Sequence, residues 1–275
     1  MTGMQQQWRR YGGATLVAVL ASGAGVGAQQ APGAPAVTVP AAGAPVAPAT
    51  GQAGAPIDLT GYWVSVVSED WRWRMVTPPK GDYASIPITL AGKLAADKWD
   101  PGKDTASGNA CRGYGAPGLL RLPSRLHVTW ADAQTLKVDV DTGQQTRLLR
   151  FGGKPVPAGP PTWQGVSQAT WEYPRRSNAV ATAAGPETPR AGGNLKVVTT
   201  RLRPGYLRKN GVPYSGDAVL TEYWDLSHER NGDWWVVITA VVHDPVNLQT
   251  DWITSLNFKK EADGAKWDPS PCEAR

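Results

Sequence analysis

The sequence predicts a mainly β domain in which an antiparallel meander of about ten strands closes into a β-barrel with one short helix. Three turn dipeptides recur between strand-forming runs after Leu195, namely Asn210-Gly211, Asn231-Gly232 and Asp263-Gly264. Such dipeptides supply the positive φ that two-residue hairpin turns require. A meander of this length closes because closure removes the exposed strand edges, and a two-sheet β-sandwich is the alternative.

The first 28 residues have the layout of an export signal. Arg9 and Arg10 precede an uncharged stretch of small and apolar residues, and Val26-Gly27-Ala28 places small residues before a cleavage point. The apolar stretch is too short and too rich in Gly and Ala to predict a membrane span. We therefore expect a signal peptide over 1–28, and a periplasmic or secreted product with no stable membrane span after cleavage.

Two regions of different composition follow the signal. Residues 29–56 contain only Ala, Pro, Gly, Val, Gln and Thr, which predicts a disordered linker. Residues 57–275 hold 12 of the 13 tryptophans and are long enough for one core, so they are the expected β-barrel domain. The formal net charge falls from +5 to +3 without the two leader arginines, which does not predict nucleic-acid binding.

The chain has two cysteines, Cys111 and Cys272. An even cysteine count in an exported protein predicts a disulfide. A bridge between them would tie the end of the chain to the first third of the domain. In the chain-entropy account a loop of this length stabilises the fold by about 4–5 kcal/mol.

Alternating hydrophobic patterns between turn residues predict the individual strands. They are expected at Leu59–Val67, Trp71–Val76, Arg125–Trp130, Thr135–Asp141, Gln144–Phe151, Thr162–Tyr173, Asn194–Arg203, Tyr206–Lys209, Val212–Tyr214, Ala218–Leu226, Asp233–His243 and Trp252–Lys260. Thr89 is the expected cap of the one short helix, which runs to Trp99 with Leu90, Leu94 and Ala95 on its inner side. Residues 101–117 and 174–193 are expected to be loops.

The run Trp71-Arg72-Trp73-Arg74 is the boldest local pattern. On a strand, Trp71 and Trp73 face one side, and Arg72 and Arg74 face the other. If the arginines face the interior, their planar guanidinium groups are suited to bind an anionic group. If the tryptophans face inward, they form core or an apolar ligand wall, and the arginines are solvated.

A second set of basic and aromatic residues follows in the segment 201–214. Together with Arg72 and Arg74 it would form a basic, aromatic ligand pocket; the alternative is a solvated positive face that protects a strand edge from aggregation. The set comprises Arg201, Arg203, Tyr206, Arg208 and Tyr214.

Glu222 and His243 are the candidate catalytic residues. Glu222 lies within a strand-like run, where a carboxylate either faces solvent or faces inward and pairs with an arginine. In the inward case it is the best general-base candidate, provided that burial raises its pKa. His243 precedes Asp244, a carboxylate able to orient its imidazole. No nucleotide-binding, nucleophile-elbow or metal motif is present, so no cofactor and no metal are predicted.

Two short stretches of the chain resemble motifs of known families. Gly61-Tyr62-Trp63 is similar to the Gly-x-Trp opening of lipocalins and related calycin barrels, and Thr221-Glu222-Tyr223 resembles their second motif. The stretches 69–83 and 203–215 resemble a group of secreted bacterial proteins that are usually labelled hypothetical. These resemblances imply a lipocalin-like barrel and export, and the second carries no activity.

These observations leave three functions open. The first is an exported protein that binds a small, partly apolar ligand with an anionic group. The second is a cofactor-free isomerase, cyclase or hydratase on the same barrel, with Glu222 or His243 as acid or base and an arginine as electrostatic stabiliser. The third is a cell-envelope scaffold or partner-binding module, in which the tryptophans are only core.

Overall fold

The computed structural model describes residues 50–153, 158–173 and 192–275. Nine strands in this part of the chain close into a barrel in the order β1-β11-β10-β9-β6-β5-β4-β3-β2, while β7 and β8 form a separate hairpin. The strands are β1 (Gly61–Val66), β2 (Arg125–Asp132), β3 (Thr135–Val140), β4 (Gln145–Arg150), β5 (Val166–Glu172), β6 (Asn194–Thr200), β7 (Gly205–Arg208), β8 (Val212–Tyr214), β9 (Val219–His228), β10 (Trp234–His243) and β11 (Trp252–Glu261). The predicted barrel is confirmed, and the two-sheet sandwich is excluded.

The three dipeptides predicted to form hairpin turns lie in three different settings. Asn231-Gly232 joins β9 to β10, which are neighbouring strands of the barrel, and Gly232 has a φ of 88°. Asn210-Gly211 joins β7 to β8, but this hairpin stands outside the barrel, because β6 pairs directly with β9. Asp263-Gly264 follows β11, and no described strand comes after it.

The barrel departs from a pure antiparallel meander at one step. β4 and β5 pair in parallel, through only two residue pairs, Leu149 with Ser167 and Arg150 with Gln168. Parallel neighbours need a connection that returns the chain to the same end of the sheet. The connection here joins Arg150 to Val166, and residues 151–153 and 158–165 of it are described.

The predicted strand Trp71–Val76 is wrong. Residues Trp71–Arg74 form a short helix, α1. Asp70 adopts a left-handed conformation at φ 50°, and its carbonyl oxygen accepts hydrogen bonds from the N–H groups of Trp73 and Arg74. Alternation over four residues does not distinguish a strand from one helical turn, so the local turn at Asp70 decides the outcome.

The predicted short helix is confirmed as α2 (Leu90–Ala96), whose cap Thr89 accepts a hydrogen bond from Gly92 N at 3.0 Å. Its predicted inner side is wrong, because Leu90, Leu94 and Ala95 are exposed and the buried residues are Gly92 and Ala96. A Cβ atom at Gly92 would lie 2.7 Å from Ile88 Cγ1, so the helix packs closely through its small residues.

The segment predicted as a loop at 101–117 carries further helical turns. They are α3 (Pro101–Ala106), a 3₁₀ turn (Ala110–Tyr114) and the start of α4 (Ala116–Leu119). Asp100 caps α3 by accepting from Lys103 N, and prolines open α3 and α4 near their first positions. These are local signals that a search for hydrophobic periodicity does not register.

The last residues of the predicted linker pack on the barrel. A 3₁₀ turn spans Gly51–Gly54, and the indole Nε1 of Trp171 donates to Gly51 O at 2.7 Å. The hydroxyl of Tyr173 donates to Gly54 O, and Gln52 N donates to Ala133 O. The predicted signal peptide, the linker up to residue 49 and residues 174–191 of the predicted loop lie outside the described residues.

Side chains fill the barrel interior. Trp63, Trp224, Phe258 and Arg147 are fully buried within it. The indole of Trp63 donates from Nε1 to Leu59 O at 2.9 Å, which fixes it at the start of β1. The barrel therefore belongs to the class that is packed with side chains along its axis.

The predicted disulfide between Cys111 and Cys272 is confirmed. It fastens the C-terminal segment across the turn between β3 and β4, where Ser270 N donates to Asp141 O. None of the helices in the described part of the chain is long and apolar enough to cross a membrane.

A cap lies at the barrel end at which β1 ends and β2 begins. We define the cap as residues 67–124, 201–218 and 244–251. Trp252, at the start of β11, joins the cap to the barrel: its Nε1 donates to Ser85 O at 3.0 Å, and the Arg121 guanidinium lies 4.6 Å from its ring centre. The cap is where the candidate site is found.

Candidate functional site

The helix α1 separates the two arginines of the Trp-Arg-Trp-Arg run. Arg72 is exposed and reaches Asp82 at 3.3 Å, and the Nε1 of Trp73 donates to the same carboxylate at 3.0 Å. Arg74 points into the cap and is only 6% exposed. Of the two arginines proposed to bind an anion, the structure buries Arg74 alone.

The guanidinium of Arg74 is only partly satisfied. Its Nε donates to Arg121 O at 2.8 Å, whereas Nη1 and Nη2 have no hydrogen-bond partner among the described residues. Burial, reinforced by the nearby charge of Arg121, lowers the pKa of Arg74 to about 10, although Glu69 and Asp70 oppose this shift. An uncompensated buried cation is costly, because it has lost its hydration without gaining partners.

Arg121 lies beside Arg74 at the end of α4. Its Nη2 donates to Asp70 Oδ2 at 2.8 Å, and its Nη1 to Glu69 Oε1 at 3.2 Å. With the stacking on Trp252 these contacts hold the side chain in one place. Both carboxylates nearest the cluster are thus directed at Arg121 rather than at Arg74.

Arg208, on β7, is the third buried arginine of the cap. Its Nη2 donates to Ala84 O and to Ser85 Oγ, each at 2.9 Å. Ser85 is itself held in a left-handed conformation at φ 67° and donates to Asp70 Oδ2. Burial and the charge of Arg121 lower the pKa of Arg208 to about 10. The pKa of Arg208 is thus lowered by the same causes as that of Arg74.

These residues line a cleft of about 160 Å³ on the cap surface, the cap cleft. Its cationic lining consists of Arg74, Arg121, Arg208 and Lys209, and Met75, Leu122 and Leu207 are among its apolar lining residues. The four cations of the lining exceed Glu69 and Asp70 by two positive charges, while Asp82, whose charge also reaches Arg208, is paired with the exposed Arg72. The cleft is cationic, and the two unpartnered nitrogens of Arg74 lie behind its surface, closed to solvent.

Apart from Arg208, the second predicted set does not join this cleft. Tyr206 donates its hydroxyl to Asp104 Oδ2 at 2.8 Å, and burial, with this bond, raises its pKa. Arg203 lies over the Trp163 ring at 4.4 Å, and Arg201 donates to Gly159 O. Tyr214 is buried beside them. Tyr206, and Arg203 through a bond to Asn109 Oδ1 at 2.8 Å, attach this part of the chain to the segment 104–115, and the single pocket predicted from all of these residues is not formed.

The two catalytic candidates lie on opposite faces of the barrel wall. Glu222 faces the interior and is fully buried in a two-point ion pair with Arg147, in which Nη1 donates to Oε1 at 2.8 Å. His243 is exposed and its Nδ1 lies 2.7 Å from Asp251 Oδ1. The inward, arginine-paired orientation of Glu222 is therefore the one observed, but the two groups do not share a cavity.

Sequence reasoning missed Arg121 and gave Arg208 no role beyond the second set. Arg121 stands in Leu119-Leu120-Arg121-Leu122-Pro123, and a lone arginine in an apolar run that ends in proline is a signal for a buried, partnered cation. Among the described residues, no cluster of His, Cys, Asp or Glu is arranged to hold a metal ion.

Comparison of the chain with protein-family models, with curated proteins and with solved structures finds no match. The function is therefore inferred from the geometry of the cap cleft.

Proposed function

We propose that this protein is an exported binder of a small molecule, and that the cap cleft holds the anionic group of that ligand. The observation that carries the proposal is the buried guanidinium of Arg74, whose two terminal nitrogens have no partner among the described residues. These nitrogens are closed to solvent, so an anion that entered the cleft would displace the side chains covering them and then complete two charge-assisted hydrogen bonds. It would also relieve the repulsion among three clustered arginines.

The charge balance favours a doubly charged oxyanion, of the phosphate-monoester or sulfate type. The four cations of the cleft lining exceed the carboxylates of Glu69 and Asp70 by two positive charges. The guanidinium fork matches the oxygen spacing of such groups. The apolar residues of the lining, including Met75 and Leu207, suit a ligand that is otherwise partly apolar.

The binding function is preferred to an enzyme on the same barrel. A general base must be within reach of a substrate, and the carboxylate of Glu222 is closed off by its bond to Arg147. His243 lies on the outer face of β10, away from Glu222. Export itself is supported by the leader pattern of residues 1–28 and by the disulfide.

The test is thermal unfolding of the full chain with increasing sodium sulfate or phosphate at constant ionic strength. At a concentration 100 times the Kd, an anion that binds only the folded state adds about 2.7 kcal/mol, which is about 5–10 °C in Tm for a domain of this size. Arg74→Met should lose this shift while its own Tm stays equal to or above that of the wild type, because a buried unpaired charge is removed.

Arg72→Met is the matched control, since Arg72 is the exposed neighbour on the same helical turn. It should keep the full anion-dependent shift. An equal shift in the wild type and Arg74→Met would overturn the proposal.

A further inference from the structure

The cap cleft is bordered by an apolar surface. Trp71 is 67% exposed, Met75 57% and Val76 70%. Trp71 and Met75 lie four residues apart, so they stand on one side of α1 while Arg74 points into the cap. We call these three residues the rim. Exposed apolar side chains are ordinary when single, but three of them beside a cationic cleft form a combined surface.

The size of the cleft limits what enters it. Its volume of about 160 Å³ is smaller than the roughly 300–1,000 Å³ that enclose drug-sized ligands. The cleft can take a compact charged group, while the rest of the ligand stays outside. Met75 belongs both to the cleft lining and to the rim, so a chain leaving the cleft past Met75 passes directly onto the rim.

The exposed side chains next to the rim also carry positive charge, which suits an anionic membrane surface. Arg72 has a side chain that is 69% exposed and stands between Trp71 and Trp73, and Lys80 is exposed on the segment that follows. Tryptophan beside exposed Arg and Lys is the composition that proteins use where they contact the headgroup layer of a membrane. Each basic residue near an anionic surface adds favourable electrostatic attraction.

We infer that the cap cleft receives the phosphate headgroup of an anionic lipid in a membrane surface, and that Trp71, Met75 and Val76 enter the acyl boundary beside it. This inference rests on the proposed function, because it assigns the anion of that site to a lipid. A phosphate-monoester headgroup, as in phosphatidic acid, suits the excess of two positive charges in the cleft lining. The same cleft would take free phosphate, but only a lipid would also use the rim.

The test is co-sedimentation of the full chain with vesicles of phosphatidylcholine alone, and with vesicles in which about one fifth is phosphatidic acid or phosphatidylglycerol. Binding to pure phosphatidylcholine reports the apolar contributions of the N-terminal segment and of the rim, so the headgroup effect is the excess of binding over it. We expect binding to phosphatidic acid at least tenfold tighter than to phosphatidylglycerol, whose phosphate is a diester with one charge. Equal binding to the two anionic vesicles would overturn the headgroup assignment.

Three variants separate the two parts of the surface. Trp71→Ser/Val76→Ser, which leaves the cleft lining intact, should lose tenfold or more of the vesicle binding and keep the sulfate-dependent rise in Tm, whereas Arg74→Met should lose both. Trp234→Ser is the control, because Trp234 is an exposed tryptophan at the far end of the barrel, beside the turn between β9 and β10. It should bind vesicles as the wild type does.

The outcomes distinguish the two proposals. Sulfate stabilises folded proteins in general, so the specific effect is the excess of the wild-type rise in Tm over that of Arg74→Met. A wild type that shows this excess but does not sediment with phosphatidic acid vesicles overturns the lipid inference and leaves anion binding in place. A wild type that shows neither response overturns both. Vesicle binding that survives Arg74→Met would show that the rim acts without the cleft, which also overturns the inference.

Discussion

Two buried arginines in this protein have opposite electrostatic surroundings. Arg147, inside the barrel, has its charge cancelled by Glu222, and its Nη2 also donates to Thr199 Oγ1. Arg74, in the cap, donates one hydrogen bond to a carbonyl oxygen and keeps two nitrogens unpaired among the described residues. A paired buried cation is consistent with a structural role, whereas an unpaired one costs stability and therefore points to a binding role.

The barrel ion pair leads to a prediction at the same scale. Glu222→Gln should lower the free energy of unfolding by about 3–5 kcal/mol, because it leaves the Arg147 charge buried without a counter-charge. The double variant Arg147→Met/Glu222→Leu should recover most of this loss, since both charges are gone. Urea unfolding of the single and double variants measures the difference. A double variant as unstable as Glu222→Gln would show that packing, rather than charge, is responsible.

At this scale the sequence identified Arg74 for its position in an alternating run, and that part of the site could be found without the structure. The apolar run around Arg121 signals its burial, but its partners could not be predicted, because Glu69, Asp70 and Trp252 lie far from it in the chain. The predicted equivalence of Arg72 and Arg74 failed because α1 is one helical turn. On a helix, side chains two positions apart point about 200° from each other, whereas on a strand they point to the same side.

At the scale of elements, the connection between β10 and β11 is fixed by one carboxylate. Asp244 is buried and accepts hydrogen bonds from the backbone and hydroxyl of Ser215, from Val246 N, and from the backbone and amide of Asn247. Burial alone would raise the pKa of Asp244, but these hydrogen bonds together hold it below its ordinary value. The carboxylate thereby joins β8 of the cap to the end of β10.

The lowered pKa of Asp244 sets the pH dependence of this connection. A carboxyl group with a depressed pKa in the folded state stabilises fully above its unfolded pKa of about 3.9, and the stabilisation is lost as the pH falls through the folded pKa. Asp244→Asn should therefore cost about 2–4 kcal/mol at about pH 7. In chemical denaturation, the difference in the free energy of unfolding between the variant and the wild type should become smaller below about pH 4. A gap independent of pH would contradict the assignment.

The elements themselves were predictable where the hydrophobic period is sustained and turns carry Asn-Gly or Gly. β9 and β10, each ten residues long and joined at Gly232, are the clearest case. The parallel step between β4 and β5 was not predictable, because the two short runs give no sign of their relative direction. That direction is set by the closure of the barrel, in which β4 also pairs with β3 and β5 with β6.

At the scale of the molecule, the disulfide connects the cap to the C-terminal segment across the barrel wall. Cys111 lies in the cap, and Cys272 lies beside the turn between β3 and β4, where its Sγ contacts Gly143 O at 3.3 Å. Nearby, Glu273 N donates to the hydroxyl of Tyr114, a residue of the cap cleft. Noncovalent contacts thus hold the same junction that the disulfide closes, and the cleft does not depend on the bridge alone.

Removing the bridge should therefore weaken the fold more than it alters the site. Cys111→Ser/Cys272→Ser opens a loop of 161 residues in the unfolded chain and should lower the free energy of unfolding by about 4–5 kcal/mol. The loss acts mainly on the unfolded state, so the sulfate-dependent rise in Tm should persist in the variant. Denaturant midpoints and anion titrations of the variant, and of the wild type oxidised and reduced, provide the comparison. Loss of the anion response together with a small change in stability would mean that the bridge shapes the cleft directly.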